Sequence, residues 1–352
     1  MVGMSSRTQN AVFVYDVGKP VRLGQRAVPS PKAGEVLVKV TAAQLLPHDS
    51  YGRDRGVFIG EKLPYVLGSS LAGIIEELGP DVATEFERGE RVFGTSNLQS
   101  PTPDQAGLQQ YAILQVDSIG RTPSNFSDDE VATLPINVAT IMIALFTKFG
   151  FMFPAPWEDK PFDFASQTIV VLGAGTNAAK IFTRIATKQL GIKKIITVAG
   201  LSNEAALLEV GATTVIDRHA PEDSIIEQVH AAAGGIDNVA MIIDCASWEH
   251  HLAASLLTPD KPSRLVTLHR VNEATVQETR PSCRATLVQN SNANLGHHAK
   301  PFWDVLPRWI ESGLVRPTTF RSLDGLENVD EINRQLDEYA AGKGDPQLIV
   351  RP

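Results

Sequence analysis

The chain has 352 residues, enough to bury a large core and to form two domains. Hydrophobic residues make up 43% of it and charged residues 20%, and a formal net charge of −8 offers no basic surface to nucleic acid or an anionic membrane. Cys245 and Cys283 are too few for a disulfide framework or a thiolate metal cage. No apolar run reaches the ~18 residues of a membrane helix. The opening residues lack the apolar segment of a secretory signal, so a cytosolic setting is expected.

The first third reads as antiparallel strands joined by turns. In "PKAGEVLVKVTAAQ", Val36, Val38 and Val40 alternate with Leu37 and Lys39 behind a Pro-Gly turn, which predicts a strand with one buried face. "LAGIIEELGPDV" and "GERVFG" add two short strands around a Gly79-Pro80 turn, and "NLQSPTPDQAG" reads as a surface loop.

The pattern changes after Pro135. From Thr168 onward five apolar runs, "TIVVLG", "KKIITVAG", "TTVID", "VAMIID" and "SRLVTL", alternate with helical stretches. Runs that are apolar nearly throughout suit parallel strands covered on both faces, which predicts a doubly wound α/β domain with its ligand at the carboxyl ends of the strands. "SNEAALLEVGA" reads as a helix capped by Ser202 and stopped by Gly211, and "APEDSIIEQVHAAAGG" as one with Pro221 in its first turn. "FWDVLPRWIESGLVRP" is a further helix, with Pro307 expected to bend it. The tail closes with a helix and the strand "LIV"; five parallel strands already complete a sheet, so the tail is expected to return to the first domain. The adjacent pairs His250-His251 and His297-His298 read as solvated surface.

The stretch "TIVVLGAGTNAAKIFTRIATKQLG" carries the first chemical signal. Gly173 follows a strand directly, Gly175 lets the backbone approach a pyrophosphate, and Thr176 and Asn177 open a helix whose free N–H groups favour anions. Ile181, Phe182, Ile185 and Ala186 give that helix one apolar face. Alanine stands where the pattern has its third glycine, and Ala178 or Ala179 can provide the same close packing. The next strand ends "ITVAGLSN", with no acid until Glu204. An enzyme selecting NAD usually places a carboxylate there. Its absence leaves room for a 2′-phosphate with Ser202, Asn203 and Lys180 as donors, so NADPH is the expected cofactor.

In their order and spacing, "PKAGEVLVKV", "LPHDSYGRDRG", "LPYVLGSSLAGIIEELG", "DDEVATLPINVATIMIALF", the glycine turn, "LLEVGATTVID" and "GLENVDEINRQLDEYAAGK" resemble the zinc-free branch of the medium-chain dehydrogenase/reductases. Within it the chain is most similar to fungal stand-alone enoyl reductases of polyketide biosynthesis, and it also resembles quinone oxidoreductases. The resemblance implies a GroES-like β-barrel catalytic domain of residues 1–134, completed by 299–352, and a Rossmann domain of 135–298. Where zinc-dependent relatives carry ligands this chain has Leu46, Ser69, Ser70 and Ile136, and leucine or isoleucine cannot donate electrons to Zn²⁺. No metal is therefore expected.

The resemblance also implies roles. Hydride from NADPH would reach the β-carbon of a conjugated C=C, and Tyr51 would donate to the enolate that develops. Thr140 would meet the cofactor with Asn137 beside it, and Pro47 would border the same pocket. Thr140 also reads as a helix-capping residue. His48 has two readings, proton relay or ordering of the loop. Leu46, Phe58, Phe146 and Phe149 are candidates for the apolar cleft wall. The aromatic insertion "GFMFPAPWEDKPFDF" would line a channel or cover the crossover helix. The implied substrate is a small or carrier-tethered enoyl compound, with a polyketide synthase as partner in secondary metabolism and no part for nucleic acid or membrane. Two departures, Leu46 for the usual asparagine and Gln347 for a frequent lysine, keep two alternatives open: a quinone or alkenal reductase acting on free molecules, and an NADPH-binding partner protein with little turnover.

Overall fold

The inner parallel strands bury both faces, and this decides the layering. Ile169, Val171, Ile195 and Ile243 belong to one core, with residues of the Pro135–Phe146 and Asn177–Arg184 helices. Val170, Leu172, Ile196 and Ile242 belong to another, with Ile225, Val229 and Ala233 of the Glu222–Ala233 helix. Alternate residues of each strand thus pack against helices on opposite faces of one sheet. The computed structural model describes residues 7–59, 62–82, 85–344 and 346–352. The reading of the chain's opening rests in part on residues 1–6, which lie outside these.

The parallel sheet has six strands, in the spatial order Thr214–Asp217, Lys194–Ala199, Thr168–Leu172, Met241–Asp244, Ser263–Thr267 and Cys283–Leu287. Five are the predicted ones. The sixth, "CRATL", was not predicted: it pairs with a single neighbour at the sheet edge and keeps only Cys283 buried, so it carries no apolar run. In chain order the strands run 3-2-1-4-5-6, so the direction of winding reverses between Thr168–Leu172 and Met241–Asp244. That reversal opens a crevice beyond their carboxyl ends.

The remaining strands are mostly antiparallel. Glu35–Leu45 pairs with Ser70–Leu78 along one edge and with Tyr111–Gln115 and Gln347–Arg351 along the other. Enclosed in this way it buries Leu37 as well as the valines, leaving only Lys39 exposed, where alternation had predicted one buried face. The C-terminal strands Phe320–Asp324 and Gln347–Arg351 join this seven-stranded sheet, so the tail does return to it. The segment expected as a surface loop is half buried: Pro101 and residues 105–107 are covered, and Gln105 Oε1 accepts from the Asn97 N–H at 3.1 Å.

Several local readings need correction. Ser202 is not a cap; it falls in the short turn Leu201–Asn203, and the helix runs Glu204–Val210 before Gly211 ends it at φ 112°. Pro221 precedes the Glu222–Ala233 helix instead of lying in its first turn. Pro307 does lie inside the Ala299–Glu311 helix. The histidine pairs split: His251 and His297 are exposed, but His250 and His298 are 0% and 4% exposed. Each buried ring has polar partners that the sequence does not announce, Asp244 for His250 and the Trp157 indole N–H for His298.

Candidate active site

At the reversal point Gly173 adopts φ 66°, and a Cβ there would lie 2.5 Å from the Ala246 Cβ. Two loops therefore approach each other more closely than a side chain permits. Thr176 Oγ1 accepts from the Ala179 N–H at 3.3 Å, capping the Asn177–Arg184 helix. Ala178 and Ala179 are buried against the sheet, as the alanine substitution required. Burial pushes the Cys245 thiol up, so it stays protonated beside Thr176. A Cβ on Gly175 would meet Asn203 Nδ2 at 3.0 Å, which places Asn203 directly over the turn. A glycine turn, a capped helix and open backbone N–H groups fit the pyrophosphate of a dinucleotide.

At the end of the second strand, Gly200 has three side chains close by. A Cβ built on it would lie 3.8 Å from Arg218 Nε, 3.8 Å from His219 Nε2 and 3.9 Å from Ser202 Oγ. Sequence reading singled out Ser202 here and passed over Arg218 and His219. The signal was present: they directly follow "TTVID", which a 3-2-1 strand order sets beside the second strand. Asp217 lies in register with Ala199, and its Oδ1 accepts from the His219 N–H. Among the described residues no hydrogen bond joins the Lys180 side chain to this group.

Across the crevice, the Pro47–Arg55 helix is held by Asp49. Its buried carboxylate accepts from the Leu46 N–H at 2.7 Å and the Gly68 N–H at 3.1 Å. Sequence reading passed over this residue because an aspartate in a first helical turn is ordinary. Pro47 takes the first helical position and is exposed. His48 Nε2 lies 2.8 Å from Ser69 Oγ, and Phe58 meets the imidazole edge-on. Burial holds the His48 imidazole below its ordinary value, with Asp49 opposing, so the ring is neutral near pH 7.

One turn further, Tyr51 is half buried. Its ring lies under the Arg55 guanidinium, 5.5 Å from the centroid, and meets Trp248 edge-on at 6.1 Å. Trp248 in turn rests on His269 at 4.4 Å. Trp248 and His269 follow two neighbouring parallel strands, so Tyr51 faces the carboxyl ends of the sheet. In the Pro135–Phe146 helix ten of twelve residues are buried; Asn137 and Thr140 are the two left partly open. They stand one turn apart on the same side. Thr140 does not cap the helix. It sits mid-helix, and its hydroxyl donates to the Ile136 carbonyl at 2.7 Å.

Phe146 and Phe149 do not line this crevice. With Phe153, Phe162, Leu295 and His297 they border a separate cavity of about 550 Å³ that no residue before 146 lines. The aromatic insertion forms one wall of that cavity, and through Phe151 and Phe153 it also packs against the core.

A zinc site does not fit. Leu46 and Ile136 are buried apolar side chains with no donor atom, the Ser69 hydroxyl is a poor ligand and is bonded to His48, and among the described residues no third histidine, cysteine or acidic side chain groups with His48 and Asp49. Among the described residues one group of three metal-capable side chains occurs, Glu158, His297 and His298, away from the crevice. There Glu158 is paired with Lys160, and His298 Nδ1 accepts from Trp157.

The family described as Alcohol dehydrogenase GroES-like domain matches residues 32–124. The trans-enoyl reductase tazE of Aspergillus terreus is 32% identical over 59% of this chain and 68% of its own length. The chain belongs to the zinc-independent medium-chain reductases. The dehydrogenase orsE of Emericella nidulans is 27% identical over 97% of this chain and 99% of its own. A mycobacterial protein solved in complex with NADPH shares the fold, with a TM-score of 0.75 and 18% identity over 98% of this chain and 100% of that one. Against this family the departure at Gln347 has a local partner. The Gln347 carbonyl oxygen accepts from Gln44 Nε2 and, at 3.2 Å, from the Thr318 hydroxyl. A glutamine thus completes a buried amide pair in this medium-chain reductase.

Proposed function

We propose that this reductase uses NADPH to saturate C=C bonds conjugated to a carbonyl, acting in trans on small or carrier-tethered enoyl substrates of polyketide assembly. The observation that carries the reading is the placement of Tyr51, half buried across the crevice from the glycine turn, in a site whose side chains cannot hold a Lewis-acidic metal. Bound NADPH would supply the hydride to the β-carbon, and the α-carbon of the resulting enolate takes a proton from water. Tyr51 Oη donates to the substrate's carbonyl oxygen as enolate charge grows there, and this stabilises the transition state more than the ground state. Asn137 and Thr140 border the cofactor's reacting end, Gly173, Gly175, Thr176, Asn177 and Ala178 hold the pyrophosphate, and Pro47 closes the pocket from the catalytic domain. With His48 neutral and bonded to Ser69, its part is to order the loop.

Ser202, Asn203, Arg218 and His219 bind the 2′-phosphate, which favours NADPH over NADH because no carboxylate ends the second strand. The fungal relative's name, trans-enoyl reductase, and the mycobacterial protein's complex with NADPH support the same reading. The test is NADPH oxidation by purified protein with free crotonyl thioester, the same acyl group on a carrier protein, and simple quinones. The enoyl reading expects turnover of both thioesters, with the carrier-bound one preferred. Turnover of quinones alone replaces it with the detoxifying reading, and tight NADPH binding without turnover replaces it with a binding role.

A further inference from the structure

Trp248 combines exposure with a fixed position. The indole is 48% exposed, yet the loop that carries it is held on both sides of Trp248 by hydrogen bonds to Asp244 and Ser247. Asp244 Oδ1 accepts from the N–H groups of Ala246 (3.1 Å) and Ser247 (2.9 Å), and Ser247 Oγ accepts from those of Glu249 (3.2 Å) and His250 (3.0 Å). His250 is fully buried at φ 58°, a region costly for a residue with a Cβ. Its Nδ1 faces Asp244 Oδ2 at 3.1 Å and its Nε2 faces the Arg270 carbonyl at 3.2 Å. The two parallel strands that precede Trp248 and His269 are thereby tied together beyond their ends. A strained turn, braced by Asp244, Ser247 and His250, that presents a half-exposed indole beside Tyr51 is what an acceptor-binding surface requires, and core packing does not explain it.

The geometry also indicates what the indole meets. Trp248 and Tyr51 stand at 71° to each other with centroids 6.1 Å apart, forming a corner. A flat ring entering that corner stacks on one side chain and takes the edge of the other, the two arrangements aromatic rings prefer. Arg55 already lies over Tyr51 and disfavours a cationic guest. A substrate carbonyl bonded to Tyr51 Oη would carry its conjugated system toward Trp248.

We infer that Trp248, with Tyr51, selects acceptors whose conjugated C=C bears an aromatic ring over those bearing a saturated chain. This rests on the reductase reading of the preceding subsection. The test compares kcat/KM for cinnamoyl and crotonyl thioesters, identical but for phenyl or methyl on the β-carbon, at saturating NADPH. NADPH affinity is measured separately by direct binding. Wild type is expected to prefer the cinnamoyl ester. Trp248→Ala should lower the cinnamoyl-to-crotonyl ratio about tenfold, or about 1.4 kcal/mol, chiefly through KM. Trp248→Phe should restore most of the ratio, and NADPH affinity should stay within about twofold in both variants. An unchanged ratio in Trp248→Ala overturns the inference and leaves the reductase reading standing. Loss of NADPH affinity in Trp248→Ala overturns it by assigning the indole to the cofactor. Wild-type protein that turns over neither ester removes the reductase reading and the inference with it.

Discussion

A methyl group on Gly173 would lie 2.5 Å from the Cβ of Ala246, closer than two carbon side chains can stand. The two residues lie just beyond the strands at which the parallel sheet reverses its winding, so their approach sets how closely the two loops meet at the crevice floor. Gly173→Ala must push one loop away, and it also places a Cβ at φ 66°. The expected result is a loss of about 2 kcal/mol in urea unfolding and at least a tenfold rise in the NADPH Kd. Gly191 is the control: its φ is 79°, but an added Cβ there meets nothing within 4 Å. Gly191→Ala should cost about 1 kcal/mol from backbone strain alone and leave the Kd where it was. If the two variants bind NADPH equally well, the Gly173 turn is not the nucleotide grip.

Arg218 is the cation closest to Gly200, where the adenosine ribose of a bound dinucleotide would lie. A guanidinium beside a 2′-phosphate makes charge-assisted hydrogen bonds that NADH cannot form. Arg218→Ala should therefore raise the NADPH Kd about tenfold while moving the NADH Kd less than twofold. The preference of wild type for NADPH should also shrink as salt is added, because the group is exposed. Equal losses for both cofactors would show that Arg218 supports the loop and does not read the phosphate.

These two cases mark what was legible in the sequence. The turn at Gly173 was, because strand, glycine and capped helix are contiguous and the chemistry sits in the backbone. The four inner apolar strands were, because burial on both faces leaves an unbroken run, and the edge strand Thr214–Asp217 was legible through Val215 and Ile216 although only Ile216 is buried. Arg218 required knowing that the third strand lies beside the second, which is a property of topology. The edge strand Cys283–Leu287 escaped because it is only partly covered, and Arg284 and Thr286 break its apolar residues into single positions. His250 escaped for a different reason: a polar residue reads as surface until its buried partner is known, and that partner is Asp244.

The His250–Asp244 pair gives the protein a defined pH dependence of stability. Burial opposes charge on His250, but Asp244 and the Arg270 carbonyl outweigh it, and the imidazole is held above its ordinary value. Both ring nitrogens face acceptors, an arrangement only the protonated ring satisfies. Burial likewise opposes charge on Asp244, yet the His250 imidazolium and the N–H groups of Ser247 and Ala246 hold it below its ordinary range. A raised histidine contributes fully below the unfolded value of about 6.5 and loses its contribution as pH rises through the folded value. A lowered aspartate contributes above about 3.9 and loses its contribution as pH falls through the folded value. The pair therefore stabilises most between about pH 4 and 6.5. Melting curves of wild type and His250→Gln should differ most in that window and converge as pH rises through the folded His250 value. A difference that does not vary with pH would mean that His250 is neutral in the fold.

Tyr51→Phe isolates a single atom. The phenyl ring keeps its contacts with Trp248 and Arg55, so packing and the Pro47–Arg55 helix are undisturbed, and only the hydroxyl is lost. If that hydroxyl donates to the developing enolate, its removal acts on the transition state and not on ground-state binding. Loss of one such donor lowers kcat by about a hundredfold, or about 2.7 kcal/mol. KM for a crotonyl thioester should stay within about threefold and the NADPH Kd should not move, because neither measures the enolate. A variant that also loses affinity for the thioester would instead assign the hydroxyl to ordinary substrate binding. A kcat equal to that of wild type would remove Tyr51 from the chemistry, and the hydrogen-bond donor to the enolate would then have to be sought around Thr140 and Asn137.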